Sequence, residues 1–312
     1  MSQISHCTTL MVCHHMTPLF CIKLPVHLMF TGTFVGGGFS MGSPYFYLEF
    51  LLALLTSLRS TSKFSNPAIL ALDYSLVPEQ QFSFQLHQAL AGYNYLLSVK
   101  SIKASRICLS GDSAGGTIML SLLLRLARLN ENETDNCAEK GPGSLDEQLS
   151  SKDRRRPGMI CLISPWVMLV SPKDRNTTSD YLDPFTLHTF AREYVGESLP
   201  VHDPLASPGN CKDSSLWMRA APLKGFVVFY GSEEVLAPEI RDFVTLLREG
   251  GMRVVADEDQ GGIHAWPVAR FFLGSTIETR TSGIGAIAER VAEGLNSEEV
   301  DARYRGISFE FG

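Results

Sequence analysis

Long hydrophobic runs are missing from this 312-residue sequence. The most apolar stretch, residues 45–58, is interrupted by Glu49 and falls short of the ~20 residues that span a bilayer; it reads as a core-facing helix. The N-terminus lacks a basic start followed by a clean apolar run, because His14, His15 and Pro18 interrupt the one candidate. No secretory signal is therefore expected, and membrane association is not evident. Positive charge is scarce as well: 27 Lys and Arg stand against 33 Asp and Glu, a net −6. That balance argues against nucleic acid as a partner, since phosphate binding needs a cationic surface. The one basic run, Arg154-Arg155-Arg156, reads as part of a solvated loop. The seven cysteines (Cys7, Cys13, Cys21, Cys108, Cys137, Cys161 and Cys211) have neither the density nor the spacing of a secreted disulfide scaffold. Cys108 and Cys161 fall inside apolar runs and read as small buried hydrophobes. A reducing, cytoplasmic compartment fits this usage best. Cys7, Cys13, His14, His15 and Cys21 match no zinc spacing, so no metal is expected there.

What is present is an alternation. From about residue 25, β-like runs over 26–35, 68–73, 106–110, 159–164, 225–230 and 252–257 are bounded by Gly, Pro and Asp. They are rich in Ile, Leu and Val, as strands buried on both faces are. Between them lie helix-period segments. Leu86, Leu90, Tyr93 and Leu97 share one face, as do Ile240, Phe243, Val244 and Leu247, with Gly250-Gly251 closing the second helix. Residues 118–126 are apolar almost all round, so that helix should be buried. The pattern predicts an α/β fold with a mostly parallel sheet of about six strands and helices on both faces. Two regions depart from it: 130–157 is polar and reads as a disordered surface insertion, and 172–222 is irregular and aromatic, a cap-like segment. The expected organisation is an atypical N-terminal segment over 1–24, one domain over 25–296 and a tail over 297–312.

Gly111-Asp112-Ser113-Ala114-Gly115 matches G-x-S-x-G directly after an apolar strand and directly before a long helix. A serine there sits on a tight strand-to-helix turn, with glycines on either side to avoid a Cβ clash and a helix N-terminus beneath. Gly38-Phe39-Ser40-Met41-Gly42 also matches, but Ser40 is followed by a glycine-rich loop, not a helix. Ser113 is the stronger nucleophile. Upstream, Gly36-Gly37-Gly38 follows the first strand and can present bare N–H groups to a developing oxyanion, with Ala114 as a further donor. His264, on the Gly261-Gly262 loop after the last strand, is placed as general base. His87, His188 and His202 lie in a helix or in the cap-like segment, and His6, His14, His15 and His27 in the N-terminal stretch. The acid should follow the preceding strand, where Glu233 and Glu234 compete. The order Ser…Glu…His is that of α/β-hydrolases.

These residues, with Asp73-Tyr74, Val77-Pro78-Glu79, Ser164-Pro165-Trp166, the run from Asp203-Pro204 to Pro208 and His264-Ala265-Trp266-Pro267, resemble the hormone-sensitive-lipase family of α/β-hydrolases. The likeness is greatest to fungal esterases and steryl acetyl hydrolase-like proteins, and it runs over 26–274. It implies oxyanion donors at Gly37, Gly38 and Ala114. It also implies Glu234, ahead of Val235-Leu236, as the acid, in preference to Glu233 and Asp203. Two departures stand out. Val35 occupies the place of the family's His before the glycines. The stretch ahead of the glycine loop is short, which predicts an exposed sheet edge and a partly unroofed pocket. The resemblance implies hydrolysis of small hydrophobic carboxylic esters, short-acyl or acetyl, with neither metal nor organic cofactor. The rival expectations are an inactive ligand-binding protein on the same scaffold and a degenerate family member.

Overall fold

The computed structural model describes residues 9–14, 17–18, 28–34, 37–98, 100–138 and 155–297, with side chains over 37–98, 100–130 and 155–297. Eight strands form one sheet: β1 (Thr9–His14), β2 (Thr17–Pro18), β3 (Leu28–Phe34), β4 (Pro67–Asp73), β5 (Ile107–Asp112), β6 (Met159–Ile163), β7 (Phe226–Gly231) and β8 (Val254–Asp259). Their order is β2-β1-β4-β3-β5-β6-β7-β8, and every pairing is parallel except β1 with β2. The helices are α1 (Leu48–Ser60), α2 (Phe84–Ser98), α3 (Ala114–Ala138), α4 (Pro184–Val195), α5 (Ser214–Ala220), α6 (Ala237–Glu249), α7 (Trp266–Leu273) and α8 (Ile277–Asn296). None in the described residues is long and apolar enough to cross a membrane.

Strand alternation sorts the core into two layers. Leu70, Leu109, Leu162 and Val228 face a cluster completed by α2, α3, α5 and α6. Ile69, Cys108, Cys161 and Phe229 face the opposite cluster, built with α1, α7 and α8. Because both faces are covered, β4 to β7 are buried almost throughout, which is why these strands read as continuous apolar runs. At the edge, β8 is only half-buried. Its Asp257, Glu258 and Asp259 pair with Arg290, Arg241 and Arg270, charges that discourage further strand pairing. The buried face of α2 is Leu86, Ala89, Tyr93 and Leu96, with Leu90 and Leu97 only partly buried beside it, a small rotation from the expected face. Helix α3 is buried along 118–124, and α1 packs Phe50, Leu51, Leu54, Leu55 and Leu58 inward.

Three findings refine the expectations. Among the described residues the mostly parallel sheet has eight strands, β1 and β2 beyond the six that the pattern marked, with β1–β2 the one antiparallel pairing. β2 has only two residues, and β1 takes strand form where Thr9–His14 finds partners along Ala68–Asp73. It thereby covers one edge of β4. Second, α3 continues past Asn130 to Ala138, since the helix already propagating from its buried half adds a hydrogen bond per residue without needing apolar contacts; residues 139–154 of that segment lie outside the described residues. Third, the basic run is not wholly solvated. Arg156 is 8% exposed and donates from Nε and Nη2 to the Ala221 carbonyl at 3.0 and 2.6 Å, its aliphatic stem allowing burial once the guanidinium finds an acceptor. The side chains of Cys7, Cys13, His14, His15, Cys21, Val35 and Cys137, Gly36, and residues 298–312 of the C-terminal tail, also fall outside the described residues.

Candidate active site

The apolar run of β5 ends at Asp112, α3 begins at Ala114, and Ser113 alone makes the turn, at φ +50°. For an L-residue with a side chain this left-handed conformation is strained. Neighbours hold it there: Ser113 N donates to Ile163 O at 3.0 Å, and Ser113 O accepts from Trp166 N at 3.0 Å. A Cβ on Gly111 would stand 2.5 Å from the Gly115 backbone, so strand and helix can cross this closely only if that position is glycine. Ala114 opens the helix, where the first amides have no intrahelical acceptor. The competing Ser40 lies in a turn, its Oγ donating to Gly38 O at 3.3 Å, and α1 begins only at Leu48. Its neighbour Phe39 is fully buried, stacked on Tyr194 with centroids 3.6 Å apart, which pins the glycine loop to the α4 layer.

Glu234 follows β7 and His264 follows β8; they are 2% and 3% exposed. His264 Nδ1 lies 3.6 Å from Glu234 Oε2, within ion-pair range but beyond a formed hydrogen bond. Neither Nδ1 nor Glu234 Oε1 has a hydrogen-bond partner among the described groups. Ser164, at the end of β6, ties the two loops from below. Its Oγ donates to Glu234 Oε2 at 2.5 Å and accepts from Ala265 N at 2.9 Å. Burial pulls the His264 imidazole down, but the Glu234 carboxylate, with Asp180 and Asp112 further off, outweighs it, and the net shift is upward from 6.5.

The other candidates are placed elsewhere. Glu233 is half-buried and engages through its backbone, its N–H to Gly262 O and its carbonyl to Thr177 Oγ1. Asp203 shapes a turn, accepting from Leu205 N at 2.8 Å. His188 contacts Asp174, while His87 and His202 are exposed.

Gly37, Gly38, Ser113 and His264 lie together on the wall of a cavity of about 660 Å³. The rest of the wall is mostly apolar, with Met41, Phe46, Leu187, Phe190, Val268 and Phe272 prominent. Gly38 has φ +61°, and a Cβ on it would meet the Phe190 ring at 2.4 Å, so glycine is required where the loop passes under α4. Ala114 and Glu234 are not part of the wall: Ala114 adjoins Ser113 at the helix start and Glu234 adjoins His264. Asp112 also reaches the cavity, where its Oδ2 accepts from Tyr47 OH at 2.9 Å. Burial first and the Asp112 charge second push that phenol far above its ordinary value, so Tyr47 stays a neutral donor.

Sequence reasoning did not find roles for Tyr47, Ser164, Asp180 and Tyr181. Ser164 was visible only within Ser164-Pro165-Trp166, and nothing in the polar stretch around Asp180 distinguishes it. No three His, Cys, Asp or Glu side chains among the described residues are grouped to hold a metal ion.

A family model described as alpha/beta hydrolase fold matches residues 33–268. The chain is 31% identical over 226 residues to "Putative steryl acetyl hydrolase mug81" of Schizosaccharomyces pombe, an alignment covering 68% of this chain and 53% of that protein. It is 29% identical over 115 residues to human hormone-sensitive lipase, covering 36% of this chain and 10% of the lipase. The matched region thus spans about half the length of the yeast relative and far less of the human one. Among solved structures, an esterase from the bacterial hormone-sensitive lipase family superposes with a TM-score of 0.64 at 23% identity, covering 88% of this chain and 78% of that one. An esterase/lipase from an uncultured bacterium gives 0.65 at 20%, with coverage of 88% and 79%. At these identities the structural likeness establishes the fold.

Proposed function

The chain belongs to the α/β-hydrolase family, with relatives of the hormone-sensitive-lipase type, and from that premise we propose that it is a serine esterase acting on carboxylic esters of small hydrophobic molecules. The observation that carries this reading is the cavity wall itself: Ser113 and His264, from opposite ends of the sequence order, face one apolar space, with the Glu234 carboxylate 3.6 Å from the imidazole.

In this reading His264 takes the Ser113 proton as the hydroxyl oxygen attacks the ester carbonyl. Negative charge moves to the carbonyl oxygen, where the N–H groups of Gly37, Gly38 and Ala114 stabilise it; such donors contribute most where charge develops in a dry site. The C–O bond to the alcohol breaks, His264 returns the proton to the leaving oxygen, and the acyl group stays on Ser113. Water, deprotonated by His264, then attacks the acyl carbonyl, the bond to Ser113 Oγ breaks, His264 returns the proton to that oxygen and the acid leaves. Glu234 holds the imidazole in orientation and stabilises its protonated form. No step calls on a metal or organic cofactor. The apolar wall favours hydrophobic esters over charged ones. The name of the yeast relative points to acetyl esters of hydrophobic alcohols as the first substrates to try.

The test is turnover of p-nitrophenyl acetate together with covalent labelling by a fluorophosphonate. Both are expected in the wild-type protein and both should vanish in Ser113→Ala. A folded protein that takes up no probe would overturn the esterase reading in favour of a ligand-binding role.

A further inference from the structure

Outside the proposed catalytic residues, Ser164 and Asp180 each touch both of the loops that must meet. Asp180 lies in the stretch between β6 and α4. Its Oδ2 accepts from Val235 N at 2.9 Å, and its Oδ1 accepts from His264 N at 3.1 Å. Oδ1 also accepts from Tyr181 N at 3.0 Å, so the carboxylate takes three backbone amides: one adjoining Glu234, one belonging to the proposed base itself and one from its own segment. The surrounding segment repeats the arrangement. Thr177 Oγ1 donates to Glu233 O at 2.7 Å and accepts from Asp180 N at 3.0 Å. Tyr181 OH donates to His264 O at 3.3 Å, and its ring meets the imidazole edge-on at 5.9 Å. A half-buried carboxylate accepting three amide donors makes charge-assisted bonds, stronger than neutral ones.

We propose that Asp180 is a positioning residue which clamps the acid loop to the base loop and so sets the distance between Glu234 and His264. The proposal rests on the reading of Glu234 and His264 as an acid–base pair. Ser164 bridges the same loops from the sheet side, so the pair is held between an inner and an outer tie. The outer tie belongs to the segment that also supplies Tyr181 and Leu182 to the cavity wall. Substrate seated against those two side chains therefore bears on the same backbone that fixes the imidazole. The groups facing His264 are Glu234 on the acid loop, Asp180 and Tyr181 on the clamp and Asp112 on the nucleophile turn. Asp180 adds to the forces that favour the protonated imidazole.

Asp180→Asn keeps the shape but leaves one oxygen for three amides and removes the charge. On p-nitrophenyl acetate we expect kcat per labelled active site to fall roughly 10- to 100-fold, in line with the sensitivity of catalysis to sub-ångström misplacement, while KM changes little. Asp180→Glu, retaining both oxygens, should recover part of the loss. In NMR titrations of the His264 imidazole, assigned with His264→Asn, the midpoint should move to lower pH in Asp180→Asn. A folded Asp180→Asn protein with wild-type kcat and an unmoved midpoint would overturn the proposal. So would a loss of activity that only tracks the fraction unfolded, equal in the Asn and Glu variants. If the wild-type protein is itself inert toward esters and fluorophosphonate, the esterase reading fails, and the imidazole titration still decides whether Asp180 acts on His264.

Discussion

The turn carrying Ser113, the proposed nucleophile, and the proposed acid–base pair of Glu234 and His264 are held in place by opposite means. The turn is a local object: strand, glycine, serine and helix follow one another in the chain, and crowding between Gly111 and Gly115 with the positive φ of Ser113 leaves it little freedom. The pair has no such local constraint. Glu234 and His264 stand on separate loops, and what sets their spacing comes from far away in sequence: Ser164, 70 residues from Glu234, and Asp180, 84 residues from His264. A site assembled in this way has one rigid member and two adjustable ones. Close packing and backbone hydrogen bonds hold the first in place against its strain, and side-chain hydrogen bonds that can be removed singly hold the others.

That contrast can be broken at either end. The largest effect is expected from Ser113→Ala, which should lower turnover by roughly 10⁴-fold or more without lowering the midpoint of thermal unfolding. Next is Glu234→Gln, for which a kcat loss of about 10³- to 10⁴-fold is expected by analogy with neutralising the acid of other triads. Its pH profile carries the sign. The base works as neutral imidazole, so activity falls as pH drops through the His264 pKa. With that pKa raised above 6.5 in the wild type, the acid limb of kcat/KM should lie above 6.5. Removing the Glu234 charge should move it to lower pH; an acid limb unmoved in Glu234→Gln would exclude this pairing. Gly111→Ala should strike the turn through packing, destabilising the fold by about 1–3 kcal/mol in urea unfolding. Ser164→Ala strands the buried Ala265 N–H and removes a donor from Glu234; about 1–3 kcal/mol of stability should be lost, with a kcat decrease smaller than that of Glu234→Gln. At the bottom of the series, Glu233→Gln should change stability by no more than about 0.5 kcal/mol and leave turnover unchanged, because that residue engages through its backbone.

How readily each part could be read from sequence follows the same division. Strands β4 to β7 were visible because burial on both faces demands unbroken apolar runs. β1 and β2 were not, because the strand form of β1 depends on an edge offered by β4 and that of β2 on β1 in turn. The turn at Ser113 was legible for the reason that it is rigid: the residues that impose its geometry are contiguous. Glu234 could be separated from Glu233 only through family likeness, since neighbouring glutamates in a loop carry the same chemistry and only burial tells them apart. Arg156 misled in the opposite sense, because a polar run gives no sign of a single buried acceptor such as the Ala221 carbonyl.

By itself, then, the order of residues determined an alternating strand–helix chain, a strained serine turn and the loops that could carry a base and an acid. All three are imposed by sterics and by apolar periodicity acting over a few neighbouring residues. The tertiary structure alone decided which carboxylate lies beside the imidazole and that Ser164 and Asp180 tie the two loops together. It also decided how far the imidazole pKa rises. Those are distances between segments, and they exist only after the sheet has brought the ends of its strands to a common rim.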